Sequence, residues 1–448
     1  MKRGLELACL IMLDILAYHT SLLGAWSVRQ WLVPMFWDVE GADYSLRYYV
    51  ELWWIPVIYI FFIAYQQTYT ARLPFWDETK KLFHAITLAF IVFMAVVMLG
   101  RVYGMVSSVV LVMLWGWSMF IFPVFHLYGK RIFFRLGICK EKVLILGAGK
   151  AGRLIAQWLD RERHIGYDVV GFLDDKTEKI GRFINDKKVF GRVRHYTRFV
   201  RELAIDTIII AMPSMGAEKT SAMAYEIQRR VRHTLVVPDL YGVAMLNTQM
   251  LHLFYEELFL LRVRNNLKSL PNRFVKRLFD VSVTLALSPL WLMLIAVIGM
   301  LIKLESPGGP IISSSVRLGR EGRPFRCFNF RCRADGRLTL VGSFLEKTSL
   351  DELSQLINVL KGDMSLIGPR PYLLSEINAV QDSIDAITNV APGITGLWQV
   401  SLRNNDTYED RIRLDIWYIM NWSLWLDLFI LVRTMVVVFS IKGEKTDD

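Results

Sequence analysis

Four long apolar runs, roughly Leu5–Trp26, Tyr48–Tyr65, Leu82–Leu99 and Met105–Tyr128, fill the first third of the chain. Each is near the ~20 residues that a helix needs to cross a bilayer, so the pattern predicts a four-helix transmembrane region over residues 1–130. The rhythm then changes. Lys142–Leu146 reads as a short buried strand, followed by a glycine turn and a helical pattern through Asp160. Asp168–Leu173, Asp206–Met212 and Thr234–Pro238 are further strand patterns, with helical stretches near Tyr196–Leu203 and Ala217–Val231. Strands alternating with helices predict a Rossmann-like α/β domain over residues 140–262. Residues 263–272 read as a linker. A third, membrane-associated domain is predicted over residues 273–448. It begins with another apolar run, 279–304, whose centre holds Ser288-Pro289. Proline inside a helix removes a hydrogen bond and kinks it, and the Ser288 hydroxyl is a candidate partner for a freed carbonyl. Tyr408–Asn421 is helical, and Ser423–Ile441, with Asp427 and Arg433 inside it, reads as an interfacial helix.

Charge placement orients these elements. Lys2 and Arg3 precede the first run, Arg72, Lys80 and Lys81 lie between the second and third, and five Lys or Arg residues between Lys130 and Lys142 follow the fourth. The loop after the first run is acidic, with Asp38, Glu40 and Asp43. Positive flanks mark the cytoplasmic side, so both ends of the bundle are expected there. Basic residues also flank both ends of run 279–304, so a re-entrant helical hairpin satisfies the charge rule; the rival reading is a kinked full span, which violates it. Composition agrees: 53% of the 448 residues are hydrophobic and 21% charged, too apolar for an ordinary soluble chain. The net charge of +11 suits anionic headgroups and phosphorylated substrates. Nucleic acid is not expected, since the spans account for the composition. Cys9, Cys139, Cys327 and Cys332 have neither metal-ligand nor disulfide-framework spacing, which suggests a reducing compartment. The first run has no small-residue cleavage site, so no cleavable signal peptide is expected. Asp14, His19 and Glu51 lie in or near apolar runs, as functional groups or as polar contacts between helices.

Gly147, Gly149 and Gly152 form G-x-G-x-x-G between strand and helix. Such glycines let a phosphate approach backbone amides at a helix N-terminus, and Asp174, at the end of the next strand, sits where a ribose-binding acid would. A nucleotide is one reading; tight-turn geometry without a cofactor is the other.

Ser349–Pro371 carries the most chemistry. Asp351 and Glu352 stand together, with Ser349 and Glu352 at capping-box spacing, so a helix is expected to start here and to stop near Gly362. First-turn acids are favoured by the helix dipole and expected to stay ionised. An ionised carboxylate serves as nucleophile or magnesium ligand; the plain alternative is an ordinary first turn. Pro369 and Pro371 stiffen the backbone around Arg370. Upstream, Phe328, Phe330 and Cys332 alternate with Asn329, Arg331 and Arg333, a strand with one apolar and one cationic face. Its arginines suit a diphosphate or lipid headgroups.

Taken together, LDEL with Asp351-Glu352, DMSLIGPRP, PGITGLWQVS and DIWYIMNWSLWLDL resemble the bacterial polyprenyl-phosphate sugar-1-phosphate transferases over the whole chain, in the large form with four spans and a Rossmann-like domain. The pattern is most similar to the undecaprenyl-phosphate galactose phosphotransferases that begin O-antigen, capsule or exopolysaccharide units, with the glucose-1-phosphate transferases as near neighbours. The resemblance implies a multi-pass enzyme of the bacterial inner membrane. Its middle domain and monotopic catalytic domain would be cytoplasmic, with a homodimer left open. Asp351 would attack the sugar-bearing phosphorus of a UDP-sugar, releasing UMP, and undecaprenyl phosphate would take the sugar phosphate. Glu352, with Asp363, would hold Mg²⁺. Arg317, Arg331 and Arg370 would grip phosphate oxygens, and Gln399, Arg403 and Asp415 would line the pocket. Asp363 also suits a loop-capping role. The chain departs from the family pattern at Asn329, where lysine is usual, at Ser354 (proline), Leu402 (glycine) and Cys332-Arg333 (Thr/Ser-Met). A different enzyme, an NAD-dependent modifier of nucleotide sugars, would require the Tyr-x-x-x-Lys pair that residues 140–262 lack.

Overall fold

The structure is a computed structural model. It describes residues 2–36, 44–99, 106–138, 140–238, 248–253, 258–263, 266–334, 336–376, 384–401 and 407–439. The chain divides into two compact units, Met1–Leu240 and Tyr241–Asp448.

In the first unit, α1 (Lys2–Ser27), α4 (Phe75–Leu99) and α5 (Ser108–Arg135) are each long and apolar enough to cross a membrane. The second apolar run is not one helix. Ser45 caps a short α2 (Leu46–Glu51) by accepting from the Tyr48 N–H. Leu52 then leaves helical geometry at ψ 61°. The remaining α3 (Trp54–Tyr65) has 12 residues, about 18 Å at helical rise. Tyr59, Leu82, Ile86, Phe93 and Phe122 form the buried centre of the bundle. His126 ties Glu78 and Asp14 together through its two ring nitrogens, each 2.6 Å away. Tyr69 donates to the other Asp14 oxygen and Lys130 pairs with Glu78. Asp14 is thus a polar contact between helices, whereas Glu51 is exposed and paired with Arg47, and the His19 ring bonds the Ile15 carbonyl and packs edge-on against Tyr18, both on its own helix.

The α/β part of this unit has strands β1 (Glu141–Leu146), β2 (Tyr167–Leu173), β3 (Phe183–Ile184), β4 (Lys187–Gly191), β5 (Thr207–Ile210) and β6 (His233–Val236). Their order is β3-β4-β2-β1-β5-β6, parallel except for β3. Along β1, Val143 and Ile145 face one core and Leu144 and Leu146 the other, as the two-residue period of a strand buried on both sides requires. The hairpin β7 (Thr248–Leu253) and β8 (Leu258–Val263) pairs with itself and falls in the second unit. The α/β sheet therefore closes at Val236, short of the 262 read from sequence.

In the second unit, run 279–304 is split between α9 (Leu270–Ala286) and α10 (Ser288–Glu305), joined at Leu287. Pro289 sits in the first turn of α10, where its missing N–H costs nothing. The Thr284 carbonyl, at the end of α9, is met by the Trp291 indole N–H at 2.9 Å. Leu278 and Leu285 on α9, and Leu292, Met293, Met300 and Leu304 on α10, expose apolar side chains. A polar stripe on α9 faces inward instead. Lys276 donates to the Ile367 carbonyl and pairs with Asp427 at 2.8 Å. Arg277 donates to the Val359 and Leu360 carbonyls, and Asp280 accepts from Ser365 Oγ and Leu366 N–H. Asp427, fully buried, also accepts from the Tyr418 hydroxyl and the Trp422 indole. A stretch read as interfacial therefore anchors the fold through its acid.

Candidate active site

Two antiparallel strands, β9 (Ile312–Leu318) and β10 (Pro324–Phe330), form the floor of the site. After the short pair β11 (Arg333–Ala334) and β12 (Arg337–Leu338), α11 (Leu340–Thr348) leads into the dyad. Ser349 does not open a capping box. It closes α11 in the left-handed conformation, φ 55° and ψ 20°, and its side chain caps nothing. Asp351 and Glu352 lie on a 3₁₀ turn, Leu350–Gln355, which passes into α12 (Leu356–Lys361) and ends at Gly362 with φ 96°. The turn packs along β10. There the Asn358 side chain accepts from the Phe328 N–H and donates to the Arg326 carbonyl, locking strand to helix.

Burial, not the helix dipole, governs the dyad. Desolvation raises both carboxyls above their usual range. For Asp351 the Asn329 amide, donating at 3.2 Å, opposes the rise. For Glu352 the neighbouring Asp351 charge adds to it, while Arg370 and Arg317 pull it back. The helix dipole was expected to favour the ionised acids; burial instead opposes their ionisation. The two acids differ: Glu352 faces the guanidinium charges, and Asp351 faces a neutral amide.

Arg370 rides on a loop fixed by backbone packing. Strands β13 (Ser365–Ile367) and β14 (Gly393–Thr395) run parallel. A Cβ at Gly368, Gly393 or Gly396 would collide with backbone atoms of the facing segment. The glycines of the two signature segments are thus required because the main chains touch. Arg317 donates to the Pro371 carbonyl at 2.9 Å, and Leu318 N–H to the Tyr372 carbonyl, fastening this loop to β9. Asp415 lies buried under it, accepting from the Tyr372 hydroxyl at 3.0 Å. Burial pushes its carboxyl up to about 6, against the pull of Tyr372, Arg411 and Arg370. The Arg411 guanidinium stacks on both Tyr372 and Trp398, a cation–π pair that the sequence did not single out.

The remaining expected residues are placed as follows. Arg331 lies just past β10 and donates to the Ser306 carbonyl at 2.6 Å, against the turn after α10. Asp363 accepts from the Asn358 amide, a loop contact. Gln399 donates to the Ile394 carbonyl. Arg403 lies outside the described residues. No group of three or more His, Cys, Asp or Glu side chains is gathered for a metal among the described residues. In the α/β domain, Gly147 adopts φ 101° and Gly152 packs on the Gly147 carbonyl, as tight-turn glycines do. Asp174 accepts from the Ala148 N–H and pairs with Lys179 at 2.8 Å. Burial opposes ionisation there, but Lys179 and the Lys176 and Ala148 amides hold the carboxyl below its usual range.

The profile of the bacterial sugar transferases matches residues 271–441, and that of a CoA-binding domain matches residues 64–238. An undecaprenyl-phosphate galactose phosphotransferase of Salmonella typhimurium is 34% identical over 418 residues, covering 84% of each chain. The chain belongs to the bacterial sugar transferase family. A UDP-galactose-lipid carrier transferase of Erwinia amylovora is also 34% identical, again over 84% of each chain. A UDP-glucose:undecaprenyl-phosphate glucose-1-phosphate transferase of Escherichia coli is 28% identical over 68% of this chain and 69% of its own. In this transferase, the family match contains the dyad, both signature loops and the α9–α10 pair.

Proposed function

We propose that this transferase moves a sugar 1-phosphate, galactose 1-phosphate first among the candidates, from a UDP-sugar to undecaprenyl phosphate, releasing UMP. The step would open O-antigen, capsule or exopolysaccharide assembly at the cytoplasmic face of the inner membrane. The observation that carries this reading is the division of labour in the dyad: Asp351 beside a neutral amide, Glu352 under the influence of Arg370 and Arg317. A carboxylate free of direct cation contact is the better nucleophile, and guanidinium groups nearby stabilise phosphoryl charge. The lean to galactose rests on the higher identity and coverage of the galactose relative.

In this mechanism an Asp351 carboxylate oxygen forms a bond to the sugar-bearing phosphorus, and the phosphorus–oxygen bond to UMP breaks, its electron pair leaving with UMP. A phosphate oxygen of undecaprenyl phosphate then attacks the same phosphorus, and the Asp351 oxygen departs. Arg370 and Arg317 hold the diphosphate. The α9–α10 pair, with its exposed apolar residues, would enter and leave one leaflet and keep the site at the membrane surface. Magnesium suits a site of one or two carboxylates completed by substrate phosphates and water. Glu352 offers one, whereas the Asp363 carboxylate is already engaged by Asn358. Bound there, Mg²⁺ would neutralise diphosphate charge.

The test is UMP release by the purified full chain with undecaprenyl phosphate and a panel of UDP-sugars. UDP-galactose is expected to support release that depends on Mg²⁺. Asp351→Asn and Glu352→Gln are each expected to abolish it while the protein stays folded. Wild-type turnover by Asp351→Asn removes the mechanism, and a preference for UDP-glucose overturns the sugar.

A further inference from the structure

Asn329 stands on β10 facing the dyad, at a position where the family pattern carries lysine. Its amide nitrogen donates to Asp351 Oδ2 at 3.2 Å. Its amide oxygen accepts from Gln355 Nε2, also at 3.2 Å. Gln355 is buried at 4% exposure, at the end of the 3₁₀ turn that carries Asp351. An asparagine amide has two faces of opposite polarity and turns freely about its last bond. An acceptor-facing donor from Gln355 removes that freedom: it fixes the oxygen on one side and so presents the NH₂ to the carboxylate. The Cys327 thiol lies on the same oxygen at 3.8 Å and favours the same orientation.

We propose that Gln355 and Asn329 form a two-amide relay that positions the reacting carboxylate of Asp351 in this enzyme. The inference rests on Asp351 being the nucleophile. The relay starts and ends on one 3₁₀ turn but passes through the strand, so it sets the height of the carboxylate above β10 as well as its rotation. Asp351 carries two oxygens. The Asn329 amide holds Oδ2, and the backbone N–H groups of Asp351 and Glu352 also bond the carboxylate. A lysine at this place would present a full charge to the same carboxylate; the amide holds it by a neutral hydrogen bond. Such positioning acts on the transition state, because a misplacement of about 1 Å costs on the order of a hundredfold in rate.

The experiment compares Asn329→Leu and Gln355→Met, both close in volume, with the double variant, using the full chain in membranes or detergent. UMP release is followed with UDP-galactose and undecaprenyl phosphate, and melting temperatures are recorded. Asn329→Leu is expected to lower kcat about a hundredfold with KM for the UDP-sugar changed less than about twofold. Gln355→Met is expected to lower kcat about tenfold in the same manner. The double variant is expected to be no slower than Asn329→Leu, because the glutamine acts only through the asparagine. Asn329→Lys, which restores a donor but brings a cation onto Asp351, is expected to recover only part of the kcat lost in Asn329→Leu. Wild-type kcat in Asn329→Leu, a loss confined to KM, or two losses that multiply in the double variant overturns the relay. Turnover by Asp351→Asn is the separate result that removes the nucleophile itself.

Discussion

Arg370 is felt by two acids at once, the half-buried Glu352 and the buried Asp415. Its planar fork suits a diphosphate in a way that a lysine does not. Arg370→Lys is therefore expected to lower kcat/KM about a hundredfold, read as UMP release. Asp415 gives a pH prediction with a definite sign. Its folded-state value of about 6 exceeds the ordinary 3.8, so the folded protein holds a proton that the unfolded chain has lost between those values. Its contribution favours the fold below the ordinary value and is lost as pH rises through about 6. The melting temperature of Asp415→Asn, relative to wild type, should rise across that window and level off above it. Catalysis runs the other way. Both dyad carboxyls lie above their usual range, so kcat/KM should fall on the acid side at a pH above that of a free carboxylate. The dyad itself was legible in the sequence because LDEL is a local word. Asn329 showed in the sequence only as a departure from the family pattern, and Gln355 and Arg411 did not show at all, because their roles depend on partners brought together by folding.

Local periodicity foretold most elements, and its failures are instructive. β1 was plain because an apolar run of strand length between basic and glycine-rich flanks has few other uses. Ser349 misled because S-x-x-E is a start signal only where the preceding residues are not helical. Here α11 runs into it and ends on it. The run Tyr48–Tyr65 hid a break, since Leu52 and Trp53 are as apolar as their neighbours and the interruption lies in the backbone. The anchoring role of Asp427 was not legible because its partner, Lys276, is 151 residues away in the chain. The glycines of GPRP and PGITG were visible as a motif, but their reason is the contact of two main chains. Gly393→Ala is accordingly expected to cost about 1–3 kcal/mol by overpacking. It should also lower UMP release, since the displaced loop carries Arg370. A melting curve unchanged from wild type would contradict the contact.

Across the whole molecule, charge has been placed where apolar burial alone would leave a choice. In the bundle, His126 lies between two carboxylates, Asp14 and Glu78, on three different helices. His126→Ala would leave both acids buried face to face, at a cost of about 3–5 kcal/mol. Thermal unfolding in detergent should show this, while Glu51→Ala, on an exposed pair, should stay within about 0.5 kcal/mol of wild type. The second unit uses the same device on α9. Lys276, Arg277 and Asp280 grip Asp427, the end of α12 and the start of the loop that leads to Arg370. The opposite side of that helix carries the exposed Leu278 and Leu285. In the proposed membrane arrangement, α9 would have lipid on one flank and the catalytic loop on the other. Any change of its tilt reaches the dyad as a lever would, so turnover should vary with the acyl-chain length of the surrounding bilayer even when the substrates stay the same.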